Sequence, residues 1–443
     1  MFDVIIIGGG LSGLAAAVQL SKDGAKVAIF EQSPRLGGRC YSYIDEKTGD
    51  VVDNGQHVLA GAYHNLLKYL DAIGTRHFLR YEPSLSLLFH HPLKGRAKFE
   101  LSSLPKPFHI VIGMLKYKLL SFQDRQRLLK VGLVLSGWNN ELEKRLSTMT
   151  VDEWLVDMHQ SEEARKNLWH PIAISITNES PAKASALLLA RSLRATFLGQ
   201  KSDSAILIPT VGQSELYVNE AVNLLKKRGA KIFAGAEVEE IELLNGKVAG
   251  VRLKKHKLVK AKSIISTVPP YALRKIIPPS YKNEKPFSDL VRYEASPIIS
   301  INLWFDSEFM DFDYIGLIDK NLQWVFNRRR LMNESKSGSY ITAVISGAHK
   351  YIETSKEKLL DCAIAEIHDV FPTSRKAKLT SFIIIKEKRA TFSATNIYER
   401  YRPGAETPIQ NFYLAGDWTD TGLPATIEGA VVSGFHAAEL ISQ

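Results

Sequence analysis

The sequence predicts an α/β fold: a dinucleotide-binding domain assembled from separate stretches of chain, with an inserted α+β part carrying an antiparallel sheet and helices. Three observations predict it. Residues 3–31 read as one βαβ unit with a glycine-rich turn, and a block from Ile206 to Thr267, a strand and helix followed by short strands, reads as a return to that unit. Near the C-terminus, a strand runs through a glycine-acid turn into a last helix. The long segment between the first two blocks therefore looks inserted.

In the first unit, Val4-Ile5-Ile6-Ile7 is a β-branched apolar run of the kind found in a strand buried on both faces. Gly8, Gly10 and Gly13 then form G-x-G-x-x-G where strand gives way to helix. Residues 14–20 have the composition of a buried helix, with Gly24 just past its end. Residues 25–30 form the second strand, ending on Glu31. Gly8 permits the tight turn, Gly10 lets the backbone approach a pyrophosphate, and Gly13 lets the helix pack closely on the strand. The phosphates belong at the helix N-terminus, among N–H groups without intrahelical partners, which brings in Leu11 and Ser12. Glu31, with Gln32 beside it, stands where a carboxylate accepts from a ribose hydroxyl. An acid there repels a 2′-phosphate, which argues against NADP.

The chain has 443 residues, enough for large cores, and is expected to form two domains rather than the about three its length suggests. Its hydrophobic fraction of 45% and charged fraction of 23% are those of a globular protein. A net charge of +10 suits an anionic partner, meaning a membrane surface, a nucleic acid or a diphosphate-bearing molecule. No aromatic-interleaved basic repeat or nucleic-acid module is visible, so a membrane is favoured and nucleic acid is not expected. Cys40 and Cys362 are the only cysteines, which excludes a disulfide framework and a cysteine zinc site. The first strand starts at once, leaving no room for a signal peptide, and no run of apolar residues is long enough to span a bilayer. The expected location is cytoplasmic, peripheral on the inner membrane face. No metal site is expected.

After Glu31, Arg35, Gly37, Gly38 and Arg39 form a loop of paired glycines between two arginines, suited to folding over a phosphate-bearing ligand. In Asp53-Asn54-Gly55-Gln56-His57, polar groups and a glycine lie between apolar residues, as for a backbone approaching a flat ligand. From Pro83 the character changes. Pro105-Lys106-Pro107 breaks the chain, and residues 108–138 read as two basic amphipathic helices with a turn near Ser121. Apolar residues there are interleaved with Lys116, Lys118, Arg125, Arg127 and Lys130, a pattern that can lie in a membrane interface.

Thr150 with Glu153 forms a capping box, and residues 182–197 resemble a long helix. Residues 206–211 look like a return strand followed by a helix over 212–227. Short strands follow, with Asn245-Gly246 as a hairpin turn. Alternating stretches from Ser296 to about Tyr398 suggest an antiparallel sheet with a helix over 356–371 on it. At the end, the 411–414 strand runs into Ala415-Gly416-Asp417-Trp418, and Thr426-Ile427 opens the last helix. This makes a second ligand-holding corner by the same dipole logic.

These segments, in this order and across the whole chain, resemble the flavin-dependent amine oxidase and phytoene desaturase superfamily. Within it, Asp53 to His57, Pro181 to Ser185 and Ala415 to Thr419 look most like the hydroxysqualene dehydroxylases, squalene-associated FAD enzymes of hopanoid-type squalene synthesis. The resemblance implies a Rossmann-like FAD-binding domain of the GR2 type, built from residues 1–82, 205–272 and 405–443. It also implies a helical, membrane-facing substrate part at 83–204 and a substrate-domain sheet at 273–404. FAD would lie extended, its pyrophosphate at Gly8 to Gly13, its adenosine ribose on Glu31 and its adenine at Val238. Arg39 would meet the phosphate–ribityl region, and Asn54, Gly55, Gln56 and His57 the isoalloxazine. Gly416, Asp417 and the Thr426-Ile427 backbone would hold the ribityl and ring.

The implied reaction replaces the hydroxyl of hydroxysqualene with hydrogen, giving squalene, with reduced flavin as donor and an unidentified source of electrons. His57 is the candidate proton donor, since histidine titrates near neutrality. Thr426 falls where the amine oxidase branch places a cage aromatic, which argues against an amine substrate. A carotenoid desaturase or isomerase is the second expectation, and a non-catalytic flavoprotein that escorts lipids the third.

Overall fold

The computed structural model describes residues 1–82, 84–104, 108–254 and 257–442. The Pro105-Lys106-Pro107 break and the Pro83 boundary lie outside them. Strands Lys231–Ala234, Val27–Glu31, Phe2–Ile7, Lys257–Ser266 and Phe412–Leu414 lie side by side in parallel. The sheet thus draws strands from both ends of the chain and its middle. Lys257–Ser266 also belongs to an antiparallel meander. Its first residues pair with Lys247–Leu253, which in turn pairs with Val238–Leu244. The turn between those two strands has Asn245 at φ 52° and Gly246 at φ 76°, the left-handed pair expected of Asn-Gly.

The first strand is buried on both faces, as its composition demands. Val4 and Ile6 join a core with Leu14, Ala15 and Val431, whereas Ile5 and Ile7 face Val238, Phe30 and Phe412. Each such side chain contributes about 1.5–3 kcal/mol on leaving water. Helix Leu11–Lys22 lies against the last helix, Ile427–Ser442. Close approach is possible because position 434 is glycine: a Cβ there would sit 2.2 Å from the Ser12 carbonyl oxygen.

The second large sheet runs Leu379–Phe392, Ala295–Phe305, Ser339–Ser346, Trp324–Asn327, Tyr314–Leu317, Ser86–His91, Gly95–Glu100. It is antiparallel except where Tyr314–Leu317 meets Ser86–His91 in parallel. Helix Lys356–Val370 covers one face through Leu359, Ala363 and Ile367.

Several expectations are corrected. Segment 83–204 was expected to be helical, yet it opens with the hairpin Ser86–His91 and Gly95–Glu100. Arg96, Lys98 and Glu100 do alternate with Gly95, Ala97 and Phe99, but in the preceding strand the adjacent pairs Leu87-Leu88 and His90-His91 break the pattern. The 206–211 strand ends at Pro209 and does not join the parallel sheet. It pairs antiparallel with Leu59–Ala60 and Leu79–Glu82 in a small separate sheet. The helix expected over 182–197 instead begins at Ala186, whereas the one expected over 212–227 is present, running from Gln213 to Lys227 with a π-helical turn at Glu215–Asn219. The two basic helices are Phe108–Lys116 and Phe122–Ser136, with the Ser121 hydroxyl accepting from the Asp124 amide. The Thr150–Glu153 capping box is present as expected.

Candidate functional site

The glycine turn has the geometry its residue types dictate. Gly8 has φ 105°, a conformation that L side chains rarely adopt, and a Cβ on Gly13 would lie 2.2 Å from the Gly8 carbonyl oxygen. Gly10 is the helix N-cap, with no side chain to satisfy the first-turn amides of Leu11, Ser12 and Gly13. The Leu11 side chain is buried in the core, and the Ser12 hydroxyl is turned to Ser433 at 3.0 Å, so both face the corner through backbone N–H. Ser433 also accepts from the Gly416 amide at 2.8 Å, tying the two chain ends together.

Glu31 is buried at the end of its strand. Its two oxygens accept from the amides of Gly9 and Ser33, both at 2.7 Å. These bonds aim the carboxylate at the mouth of the turn and leave each oxygen a further lone pair. Gln32 beside it is exposed. The side chain of Val238 is packed with Ile7 and Phe30, so any contact it makes with an adenine runs through its backbone.

Gly37 and Gly38 take φ 101° and 59°, and the Gly37 amide donates to the Gly9 carbonyl at 2.8 Å, laying the arginine loop over the glycine turn. Arg35 stacks on Tyr41 with its guanidinium carbon 3.7 Å from the ring centroid. Arg39 instead reaches Asp417 Oδ1 at 2.6 Å and the Ala390 carbonyl at 2.5 Å. The Asp417 loop is pinned from beneath by Arg402, whose side chain is 0% exposed. Arg402 donates to the carbonyls of Asp417 at 3.2 Å, Thr419 at 2.5 Å and Leu423 at 2.9 Å. Thr426 closes the corner, its hydroxyl accepting from the Gly429 amide at 3.0 Å to cap the last helix, with Ile427 buried behind it.

In the Asp53–His57 loop, the Asn54 side-chain amide donates to the Arg39 carbonyl at 3.1 Å, while Asn54 Oδ1 is buried without a partner. The Gln213 side chain donates to the Gly55 carbonyl, and its backbone amide donates to Asp53 Oδ1 at 3.0 Å. Arg328, 2% exposed, donates to Asp53 Oδ2 at 2.7 Å and to the Gln56 side-chain oxygen. Gln213, Arg328, Arg402 and Ser433 were not read from the sequence. The only local signal was the Arg328-Arg329-Arg330 run closing an apolar strand. Burial holds the His57 imidazole below its ordinary 6.5, with Asp53 opposing and Arg39 reinforcing, so the ring is mostly neutral near pH 7. Cys40, under the same loop, is pushed up to about 12 by burial, with Arg39 opposing, and stays a thiol.

These residues fit an extended flavin dinucleotide. A bare helix N-terminus, a carboxylate at the second strand end, an orphaned buried acceptor at Asn54 and a second helix start are drawn together by the bonds of Gly37 to Gly9, Asn54 to Arg39 and Arg39 to Asp417. Among the described residues, no group of three or more His, Cys, Asp or Glu is placed to hold a metal ion.

On the outer face, Phe108, Phe122 and Leu133 are 59%, 66% and 73% exposed beside exposed Lys116, Lys118 and Lys130. Arg125 is not one of these exposed cations, a correction to its expected role. Its guanidinium donates to the carbonyls of Leu120 at 3.0 Å and Leu115 at 2.9 Å, closing the end of the preceding helix. Arg127 leans on Asp124 at 3.4 Å. Among the described residues, no helix is long and apolar enough to cross a membrane. Where this helical layer meets the C-terminal loop there is a cavity of about 450 Å³, walled by Trp138, Arg191, Arg194, Leu198, Thr421 and Gly422.

Comparison with known proteins agrees with this geometry. The family model for flavin containing amine oxidoreductase matches residues 11–442. The chain is 30% identical over 456 residues to a hydroxysqualene dehydroxylase of Rhodopseudomonas palustris, covering 99% of this chain and 98% of that one. It is 27% identical over 470 residues to a 15-cis-phytoene desaturase of Synechococcus elongatus, covering 99% and 95%. Among solved structures, an oxidoreductase from Methanosarcina mazei superposes with a TM-score of 0.78 at 17% identity, covering 99% of this chain and 100% of that one, and so shares the fold. The cofactor is FAD, and the chain belongs to the flavin-containing amine oxidoreductases, in the part of that family where hydroxysqualene dehydroxylases are found.

Proposed function

We propose that the protein is a reductive dehydroxylase of a long isoprenoid alcohol, converting hydroxysqualene to squalene. The likeness to hydroxysqualene dehydroxylases along the full length of both chains carries this reading. The C–O bond breaks, a C–H bond forms, and the hydroxyl leaves as water after taking up a proton. The substrate gains two electrons, and a separate reductant must restore them. Reduced FAD, when bound, supplies the hydride from N5.

The chain's own residues bind, orient and exclude water. Gly10 to Gly13 and Glu31 hold the nucleotide end, Arg39 and Asp417 the middle, and Asn54 to His57 with Thr426 and Ile427 the ring end. His57 is the candidate to pass a proton to the departing hydroxyl through its imidazolium form, which burial makes the minor form near pH 7 and the stronger acid. Thr426 spends its hydroxyl on capping a helix and offers no aromatic wall, which disfavours an amine substrate. The substrate comes from lipid: Phe108, Phe122 and Leu133 enter the interface, with Lys116, Lys118 and Lys130 on anionic headgroups at the cytoplasmic membrane face.

Photoreduced protein mixed anaerobically with hydroxysqualene tests the reading. Flavin reoxidation with squalene formed is the expected outcome; no reoxidation removes it. The equally long match to a phytoene desaturase supports a second reading, in which a carotenoid precursor would instead reduce oxidised flavin. Absence of both reactions would leave a lipid-carrying flavoprotein.

A further inference from the structure

Arg328 and Arg329 are neighbours in sequence but serve different ends. Arg329 and Lys336 close on Asp50, with the Arg329 guanidinium 2.7 Å from both carboxylate oxygens and Trp304 Nε1 at 2.8 Å. That cluster, with Glu334 accepting from Arg329 at 2.5 Å and the Gly49 carbonyl from Lys336 at 3.0 Å, ties the Asp50 turn to the substrate sheet. Arg328 opens the short helix Arg328–Leu331 immediately after strand Trp324–Asn327, and its guanidinium turns the other way. Both of its oxygen acceptors, Asp53 and Gln56, lie on the loop expected to face the flavin ring.

An arginine without water is tolerated only when paired, because stripping an ion of solvent costs several kcal/mol. This one places both of its hydrogen bonds to oxygen on the Asp53–Gln56 loop, and its other contacts are Met332 Sδ at 3.2 Å and the Tyr340 ring. The loop is held as well through Asn54, whose backbone amide donates to the Tyr41 carbonyl at 3.0 Å and whose side chain donates to the Arg39 carbonyl at 3.1 Å, and through Gln213. Gly55 contributes no side chain, its carbonyl accepts from Gln213, and behind it Ser300 Oγ lies 3.8 Å from where a Cβ would stand. Asp53 takes Arg328 on one oxygen and the Gln213 amide on the other, so the loop is gripped from the sheet on one side and a helix start on the other.

We propose that Arg328 is a positioning residue, by which the substrate sheet sets the placement of Gly55 to His57 against the flavin ring and thereby the flavin's reduction potential. This rests on the reading that the loop faces the flavin, and it does not depend on which isoprenoid is the substrate. Backbone and side-chain dipoles held against the ring differ in their interaction with its oxidised and reduced states, so a loosened loop moves the potential.

The test uses four FAD-loaded variants: Arg328→Gln, Arg328→Lys, the double variant Asp53→Asn/Arg328→Gln, and Arg329→Gln as control. The double variant removes both buried charges, so it leaves no stranded carboxylate. Midpoint potential, visible flavin spectrum and FAD per chain are measured on each. Expected are bound FAD throughout, potentials shifted in the same direction in Arg328→Gln and the double variant, partial return in Arg328→Lys, and wild-type values in Arg329→Gln. Single-turnover hydride transfer should fall by up to about a hundredfold in the double variant. An unshifted double variant, an equal shift in Arg329→Gln, or a double variant that no longer folds would each overturn the proposal. A shifted potential in protein that ignores hydroxysqualene would keep this inference and discard the dehydroxylase reading.

Discussion

Arg39 and Asp417, 378 positions apart in the chain, form an ion pair at 2.6 Å. Arg39 arrives on the loop folded over the first glycine turn, and Asp417 on the turn before the last helix, which Arg402 pins in place. The pair joins the two loops proposed to hold FAD. Asp417→Asn should keep the fold and weaken FAD binding about tenfold to a hundredfold, the worth of one charge-assisted hydrogen bond. Titration of apoprotein with FAD, followed by flavin fluorescence, measures it; unchanged affinity would mean the pair is a structural tie only.

Two glycines of one motif should fail differently. A Cβ on Gly13 meets the Gly8 carbonyl at 2.2 Å, whereas the nearest atom to a Cβ on Gly10 is Gly38 Cα at 4.0 Å. Gly13→Ala should therefore cost about 1–3 kcal/mol of stability. Gly10→Ala should leave thermal unfolding of the apoprotein nearly unchanged but reduce FAD retention, because its methyl occupies space expected of a phosphate. Equal losses of stability in both would contradict the assignment of separate roles.

The pH dependence of His57 has a definite sign. Its folded-state pKa lies below 6.5, so the unfolded chain binds the proton more readily. Stability therefore rises with pH through the window between the folded value and 6.5, and is lost as pH falls through that window. His57→Ala should flatten this part of the Tm-versus-pH curve while retaining FAD. If His57 donates the proton, the wild-type single-turnover rate should also climb as pH falls toward the folded pKa, and the variant's should not. Matching rate profiles would take His57 out of the reaction.

For helices Phe108–Lys116 and Phe122–Ser136, proposed to dock on lipid, the informative variants are those that break nothing inside. Lys116→Glu, Lys118→Glu and Lys130→Glu combined, or Phe122→Ser with Leu133→Ser, should each reduce flotation with anionic liposomes and leave Tm within about 1 °C to 2 °C. Each surface lysine is worth about 1 kcal/mol near an anionic surface. Arg125 is unsuitable, because its replacement frees the carbonyls of Leu115 and Leu120. Equal flotation of wild type and both variants would discard membrane docking by this face.

Local chemistry dictates the βαβ unit, the Asn245-Gly246 hairpin, the Ser121 and Thr150 caps and the two basic helices, because each depends on residues within a few positions of one another. Gly8, Gly13 and Glu31 were legible for the same reason: a tight turn, a close helix and a strand-end acid leave marks at fixed spacing. Tertiary structure alone decided that Ile206–Pro209 pairs away from the parallel sheet, that residues 86–100 complete the second large sheet, and that Arg328 and Arg402 grip the Asp53–Gln56 and Asp417–Leu423 loops. A buried charge chooses its partner by where solvent is absent, and that is a property of packed elements rather than of neighbours along the chain.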